Sequence, residues 1–297
     1  MKKNTIDRRE FIKTGAAGAA AGALALAWPR RLNGQPSGKT RVVLIRDKDA
    51  LDESGTVRSD AVKRMLDEAV KTLLHEKEAT VAWKKIIRPD DVVGIKTNAW
   101  RALPTPPQLE DAIRSSVLVA GVSAENISVR DRGVLDDPVF MKATALINVR
   151  PMRTHDWSGL GTLLKNYIMF VPDPPRFHPD SCADLAALWQ LPEVKGKTRL
   201  NILVMLTPLF HSVGPHGFNP AYVWRYNGLL VGLDPVAVDA TGARVILAKR
   251  REFFGADRPI NPLPKHIELA DTRHHLGTAD PNKIELVKLG WQEGILI

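Results

Sequence analysis

The chain has 297 residues, 44% of them hydrophobic and 25% charged, a balance that is typical of a globular protein and excludes a largely disordered one. Its formal net charge is +9, of which residues 1–27 contribute +3, and the remaining lysines and arginines form no long basic run with interleaved aromatics. This distribution argues against nucleic-acid binding and leaves an anionic small molecule as a plausible ligand. The length predicts one or two domains.

The N-terminus carries the most specific pattern in the sequence. Residues 7–13 read DRREFIK, with Arg8 and Arg9 adjacent, and an alanine- and glycine-rich stretch follows them. This pattern is typical of a twin-arginine (Tat) export signal. An uncleaved membrane anchor and a helix of the fold are the alternatives. However, the apolar run is shorter than the roughly 20 residues that span a bilayer, and its glycines weaken a helix.

We therefore predict a signal peptide over residues 1–27, cleaved after Ala27, a linker over residues 28–39 and an α/β domain over residues 40–297. The Tat translocase would export the chain to the periplasm or another extracytoplasmic location, with no membrane span left after cleavage. Because this route moves folded chains, often around a cofactor, a bound cofactor such as a divalent metal is one hypothesis. Cys182 is the only cysteine, so we expect neither an intrachain disulfide nor an iron–sulfur cluster, which normally takes four thiolates.

Short branched-apolar runs alternate with amphipathic segments from Thr40 onward. The apolar runs predict strands at residues 41–45, 91–96, 126–131, 145–150, 200–206, 229–233 and 283–289. Helical spacing predicts helices over residues 62–74, 105–121, 181–191 and 234–250, the last capped by Asp234 and followed by Pro235. This alternation predicts an α/β fold with a mostly parallel sheet, helices on both faces and long central loops over the strand ends, at residues 170–180 and 210–228.

Polar residues follow several of the predicted strands. In open α/β sheets ligands bind at the carboxyl ends of the strands, so these residues are the candidates for a site. In chain order they are Lys96, Asn98, Asp131, Arg132, Gly133, Arg150, Arg153, His155, Asp156, Thr207, His211 and Asp234.

The order of the motifs resembles a known family. Lys-x-Asn at Lys96 and Asp-x-Gly at Asp131 are followed by Thr154-His155, Lys165-Asn166, a Gly-Pro loop at Gly214 and an Asp-Pro-x-Ala-x-Asp helix that contains Asp239. This succession, over residues 92–247, resembles the family known as domain of unknown function 362 (DUF362). The resemblance implies an α/β domain, marks these positions as site residues and implies no established activity. The chain departs from the family pattern at Arg153, where lysine is common, at His211, where an acidic residue is common, and in lacking the cysteine clusters of some relatives.

Two arginines beside an expected helix start predict an anion site. Asp156 or Ser158 can cap a helix whose first turn contains Gly159 and Gly161, which would place free N–H groups beside Arg150 and Arg153. Two guanidiniums suit a carboxylate or a phosphate. Alternatively, the arginines pair with local carboxylates. The predicted ligand-binding residues are Asn98, Arg150, Arg153, Thr154, Lys165 and Asn166.

Lys165, Asn166 and Asp239 each have two interpretations. Lys165 and Asn166 fall opposite the apolar face of Leu160, Leu163 and Leu164, so they are either site residues or solvent-exposed ones. Asp239 lies in an apolar helix and needs a partner, for which Lys96 or a loop arginine is the candidate; it is either catalytic or half of a buried ion pair.

Four of the eight histidines fall in the central part of the chain: His155, His178, His211 and His216. With Asp156, three of them, His155, His178 and His211, suit a divalent metal site, although no His-x-x-x-His spacing supports it. Surface or hydrogen-bonding histidines are the alternative.

These observations favour a metal- or cofactor-dependent enzyme that acts on an anionic small molecule in a cationic cleft. Lys96 or His155 would be the general base, and Asp131 or Asp239 the orienting carboxylate. The alternative is a non-catalytic periplasmic protein that binds a ligand or a cofactor. Convergence of Lys96, His155 and Asp239 within a few ångströms would favour the enzyme, and dispersed charges would favour binding alone.

Replacing both Arg8 and Arg9 with lysine should leave the protein in the cytoplasm, because the translocase reads the paired guanidiniums. Fractionation of the native host measures the outcome. Undiminished extracytoplasmic protein would contradict the prediction.

Overall fold

The computed structural model describes residues 38–212, 214 and 216–297. The predicted signal peptide with Arg8 and Arg9, residues 28–37 of the predicted linker, and Pro215 of the Gly-Pro motif lie outside the described residues. Among the described helices, none is both long enough and apolar enough to cross a membrane.

The described residues form one eight-stranded sheet, and all seven predicted strands are confirmed. Four of them continue beyond their predicted ends, and the eighth strand is a short one that the sequence did not predict. The strands are β1 (Thr40–Arg46), β2 (Val93–Lys96), β3 (Ile127–Arg130), β4 (Ala145–His155), β5 (Gly159–Gly161), β6 (Thr198–Leu209), β7 (Gly228–Gly232) and β8 (Ile284–Gly290).

The sheet is mostly parallel, as predicted. Its strand order is β3-β2-β4-β6-β7-β1-β8, and β5 pairs with β4 alone. The pairs β2–β3, β2–β4, β4–β6 and β1–β8 are parallel, whereas β7 runs antiparallel to both of its neighbours. The carboxyl ends of β3, β2, β4 and β6 therefore meet at one edge of the sheet.

Helices cover both faces of the sheet, as predicted. The helices are α1 (Ser59–Leu74), α2 (Ala79–Ile86), α3 (Pro107–Ala120), α4 (Pro138–Met141), α5 (Leu163–Asn166), α6 (Pro179–Cys182), α7 (Pro235–Phe254) and α8 (Lys265–Thr272). Within residues 38–297, as far as they are described, six 3-10 turns lie at Ala124–Asn126, Tyr167–Phe170, Pro174–Phe177, Leu185–Gln190, Pro220–Tyr222 and Pro281–Lys283.

Side-chain alternation along the strands divides the core into two apolar clusters. In β1, Val43 and Ile45 pack with α1, α2 and α3, whereas Val42 and Leu44 belong to the cluster that contains α5, α7 and α8. Successive strand residues point to opposite faces, so a helix layer is required on each side of the sheet. The candidate site lies on the α5 face.

Two helix predictions are wrong. Residues 159–161 form β5 instead of a first helical turn. Gly159 has a φ of +70°, and a Cβ there would lie 2.0 Å from the carbonyl oxygen of Pro262, so the chain makes a tight turn that only glycine permits. The helix expected over residues 181–191 is replaced by α6, in which Asp180 and Ser181 have positive φ, and by the 3-10 turn Leu185–Gln190.

Asp234 caps α7, as predicted. Its Oδ1 accepts hydrogen bonds from Val236 N (2.8 Å) and Ala237 N (3.1 Å), and its Oδ2 accepts one from Thr278 N (2.9 Å). Gly277 permits this approach, because a Cβ there would lie 2.0 Å from Oδ1. The carboxylate therefore joins α7 to the segment that precedes β8.

Asp234→Ala should lower the free energy of unfolding by about 1–2 kcal/mol, because it removes an N-cap and leaves three buried N–H groups without an acceptor. Asp280→Ala is the matched control, since Asp280 caps only the 3-10 turn Pro281–Lys283 through Asn282 N. Urea denaturation of both variants at pH 7.5 measures the difference. Equal losses in the two variants would contradict the structural role assigned to Asp234.

Candidate functional site

A row of polar side chains crosses the α5 face of the sheet. Lys96 of β2 is in register with Asn148 of β4, and Asn148 is in register with Asn201 of β6. All three are fully buried. Arg150 lies two residues beyond Asn148 on β4 and so shares its face. The strands thus place polar groups directly beneath α5.

Asn166 joins α5 to this row. Its Nδ2 lies within hydrogen-bond distance of Asn148 Oδ1 (2.9 Å), Lys96 O (3.0 Å) and Val149 O (3.2 Å). Its Oδ1 is 3.4 Å from Lys96 Nζ. Asn166 is 1% exposed and Lys165 is 3% exposed, so the solvent-exposed interpretation of these two residues is wrong. The apolar face predicted for a longer helix does not apply, because α5 is a single turn surrounded by other elements.

Asp239 holds the N-terminus of α5. Its two oxygens accept hydrogen bonds from Leu163 N (3.0 Å) and Leu164 N (2.9 Å), and the residue is fully buried. Burial raises the pKa of this carboxyl to about 7, against the opposing effect of its hydrogen bonds. Its direct partners are therefore these two backbone groups and the side chain of Thr162 rather than Lys96 or an arginine. The helix start expected to bind an anion, at Gly159 and Gly161, is a strand instead, and the first two N–H groups of α5 are occupied by Asp239.

Lys96 and Asp131 form an ion pair at the ends of β2 and β3. Lys96 Nζ lies 2.9 Å from Asp131 Oδ1 and 2.7 Å from Thr97 O. Asp131 Oδ2 accepts a hydrogen bond from Ala99 N at 3.0 Å. Burial lowers the pKa of Lys96 to about 8. Burial alone would raise the pKa of Asp131, but Lys96 and the hydrogen bond from Ala99 N together hold the Asp131 pKa below its usual value.

The two buried arginines, Arg150 and Arg153, differ in their partners. Arg153 Nη1 donates to Asn98 Oδ1 at 2.8 Å, and its guanidinium lies 4.5 Å from the centre of the Trp100 ring. Arg150 is 4% exposed and, within the described part of the chain, forms no hydrogen bond or ion pair; its Nε and that of Arg153 are buried without a partner. The alternative in which local carboxylates neutralise the arginines is therefore wrong for Arg150. Burial lowers the pKa of Arg150 to about 10 and that of Arg153 well below its usual value.

Gly161 of β5 has no side chain, which leaves space for the side chains of Arg150 and Arg153. A Cβ at this position would lie 3.1 Å from Arg150 Nη2 and 3.4 Å from both Arg153 Cγ and His155 Cδ2. β5 pairs with β4 through Arg153 and Gly161, so this glycine covers the cationic groups directly. We call Lys96, Arg150, Arg153 and Lys165 together the α5 site.

Lys165 and His266 complete the buried polar groups. Lys165 Nζ lies 3.4 Å from Cys182 Sγ, and burial lowers its pKa to about 8. His266 of α8 is fully buried, with Nε2 3.5 Å from Thr162 Oγ1 and Nδ1 unpaired, and burial together with Lys165 and Arg150 lowers its pKa to about 3. Sequence reasoning missed His266 and Thr162, because neither follows a strand that the sequence predicts and no local pattern links α8 to α5.

Three of the four central histidines surround Trp157. The ring centroids of His178, His216 and His155 lie 4.0, 5.3 and 5.8 Å from that of Trp157. His155 Nδ1 accepts a hydrogen bond from Trp157 N at 3.2 Å, which places the ring proton on Nε2. Burial and the cations nearby lower the pKa of His155 far below its usual value, so its 2.9 Å approach to Asp156 Oδ1 is not an ion pair.

His211 lies apart from the other predicted metal ligands. Its Nδ1 accepts a hydrogen bond from Arg250 Nη1 at 2.8 Å, and its ring packs against Tyr222 and Phe254. Only its carbonyl reaches the site, where it accepts a hydrogen bond from Thr154 Oγ1 at 3.1 Å. The predicted set of His155, His178, His211 and Asp156 is therefore not brought together. The described residues contain no group of three or more His, Cys, Asp or Glu side chains that could hold a metal ion.

A separate groove of about 550 Å³ lies beside β1, β8 and α1 and shares no residue with the α5 site. Its cationic side chains, Arg46, Lys48 and Arg64, already have partners: Lys48 pairs with Asp49, and Arg64 pairs with Asp47 and Asp60. The third, Arg46, is held by aromatic rings and a carbonyl. The guanidinium lies 4.3 Å from the ring centres of both Tyr226 and Trp291, and Nε donates to Tyr226 O at 2.8 Å. The buried cation that lacks a partner is therefore in the α5 site.

Comparison with known proteins supports the resemblance noted in the sequence. The model of the family described as domain of unknown function (DUF362) matches residues 130–244, a segment that runs from the end of β3 into α7. The model of the twin-arginine translocation pathway signal sequence matches residues 5–25. No curated protein and no solved structure matches the chain. The signal sequence indicates export across the membrane, which confirms the export prediction, and supports handling by the Tat translocase.

Lys165→Met should change how stability depends on pH. The folded pKa of about 8 lies below the ordinary 10.5, so between these pH values the unfolded chain binds more protons than the folded one. The Lys165 contribution to the free energy of unfolding then rises with pH, by at most about 1.4 kcal/mol per pH unit, and below pH 8 it is a constant penalty. The wild type should therefore gain stability relative to the variant between pH 8 and 10.5.

Urea denaturation at about pH 7, about pH 8.5 and about pH 10 measures stability below and within the range between the folded and unfolded pKa values of Lys165. Lys48→Met removes a lysine whose side chain is 69% exposed and is the control for loss of charge alone. A stability difference between the wild type and Lys165→Met that stays flat or falls with rising pH would contradict the burial argument.

Proposed function

We propose that this exported protein binds a small molecule with a carboxylate or phosphate group at the α5 site. The observation that carries the proposal is Arg150, a guanidinium that is 4% exposed and has no hydrogen-bond or ion-pair partner among the described residues. A buried charge without a partner is costly, and a bound anion would remove that cost. Guanidinium groups bind carboxylates and phosphates through two parallel hydrogen bonds.

The charge balance of the site supports the same proposal. Four cationic side chains, those of the α5 site, lie near three carboxylates, Asp131, Asp239 and Asp156, the last of which pairs with His216. Asp131 is already bonded to Lys96 and Ala99 N, and both oxygens of Asp239 are bonded to the N-terminus of α5. None of these three carboxylates forms an ion pair with Arg150 or Arg153.

Binding is favoured over the acid–base enzyme predicted from the sequence. Lys96 is bonded to Asp131, Asp239 to two backbone N–H groups, and His155 Nδ1 to Trp157 N. These three residues thus have separate partners instead of forming a relay. An extracytoplasmic binding protein, in the periplasm where the host has one, is the function that this arrangement supports best.

Arg150→Gln should weaken binding of the anion by about 1.5–3 kcal/mol, the range for a hydrogen bond to a charged group. The free protein should not lose stability to the same extent, because the substitution removes an unpaired buried charge. Arg244→Gln is the matched control, since Arg244 is an exposed arginine of α7.

A thermal-shift screen of phosphate, sulfate and small mono- and dicarboxylates measures the outcome. At least one anion should stabilise the wild type and Arg244→Gln but not Arg150→Gln. The proposal fails if no anion stabilises the wild type at millimolar concentration, or if Arg150→Gln responds as the wild type does.

A further inference from the structure

The two buried lysines of the α5 site have different surroundings. Lys96 Nζ has three oxygen atoms within hydrogen-bond distance, those of Thr97, Asp131 and Asn166. Lys165 Nζ has a single hydrogen-bond partner within the described part of the chain, the Sγ of Cys182 at 3.4 Å. No carboxylate or carbonyl oxygen in that part of the chain accepts a hydrogen bond from Lys165.

This environment favours the neutral amine of Lys165. A thiol sulfur is a weak acceptor, so the three N–H groups of an ammonium would remain poorly satisfied. Arg150 disfavours a second positive charge nearby, and burial lowers the Lys165 pKa to about 8. A desolvated lysine beside another cationic group is a nucleophile at a pH near neutrality.

Cys182 does not compete for this role. It is fully buried, and burial raises the pKa of its thiol, so it remains protonated. The amine is also only one side chain away from solvent. Its Nζ lies 6.0 Å from the centre of the Trp157 ring, and Trp157 is 44% exposed.

We propose that Lys165 forms an imine with the carbonyl carbon of a small oxo acid whose carboxylate is held by Arg150. The proposal rests on the anion site proposed above and adds a covalent step to it. The lone pair of Nζ attacks the carbonyl carbon, and the π electrons of the C=O bond move to its oxygen. A proton passes from nitrogen to that oxygen and gives a carbinolamine. Loss of the hydroxyl with a second proton from nitrogen releases one water and leaves the C=N bond, so no oxidant or reductant is required.

The test is reductive trapping with pyruvate and sodium cyanoborohydride, followed by intact mass and peptide mapping of the full chain. The expected result is a dominant reduced adduct on Lys165, in preference to exposed lysines such as Lys48, and its loss in Lys165→Arg. Acetone, which has the carbonyl but no carboxylate, should give much less of this adduct. Because the adduct is mapped on the wild type, the result does not depend on whether a variant folds.

Thermal shift with pyruvate alone, without the reductant, separates the two proposals. If pyruvate stabilises the wild type through Arg150 but adducts fall only on exposed lysines, the covalent step is overturned and the anion site stands. If Lys165 is labelled equally by acetone and pyruvate while no anion stabilises the protein, the amine is reactive but the oxo acid assignment is overturned together with the anion site. Labelling of Lys165 by pyruvate that falls in Arg150→Gln supports both proposals.

Discussion

The geometry of the site depends on the contact between Asp239 and the N-terminus of α5. A single helical turn is not stable alone, because nucleation fixes several residues for one hydrogen bond. Here the carboxylate of Asp239 accepts hydrogen bonds from Leu163 N and Leu164 N, residues that lie 76 and 75 positions away in the chain. Asn166 fastens the other end of the turn to β2 and β4. With both ends held, Lys165 is fixed in the protein interior.

Electrostatics then define what the site can accept. Of the four cations of the α5 site, Lys96 is compensated by Asp131 and Arg153 is bonded to Asn98, whereas Arg150 lacks a hydrogen-bond or ion-pair partner and Lys165 is bonded to a thiol within the described residues. Burial lowers the pKa values of all four groups, because removing several positive charges from water costs free energy. An anion that enters the site is favoured by this same imbalance.

Trp157 and its histidines form the outer boundary of the site. His178 and His216 pack against this ring, and His216 also pairs with Asp156. His155 is buried, and burial together with the nearby cations lowers its pKa far below the usual value, so its ring is neutral. Sequence reasoning grouped His155, His178 and His211 with Asp156 as metal ligands, because loop histidines near carboxylates suit a metal. In the folded chain one aromatic side chain separates them, and His211 packs with Arg250.

The amino-acid sequence by itself determined the export signal, the seven main strands, the cap of α7 and the strand ends at which the polar residues collect. These features depend on local chemistry, such as hydrophobic periodicity, an Asp-Pro helix start and paired arginines. Even the polar row on the α5 face is encoded by alternation, since Lys96, Asn148 and Asn201 each alternate with core residues such as Ile95, Ile147 and Ile202. Only the tertiary structure decided that residues 159–161 extend as a strand, that Asp239 caps α5, and that His266 approaches Thr162. The last two outcomes are contacts between distant parts of the chain. The strand at residues 159–161 pairs locally with β4, but its turn at Gly159 lies against the distant Pro262. The periodicity of one segment indicates which of its faces is buried but not which group will lie against that face.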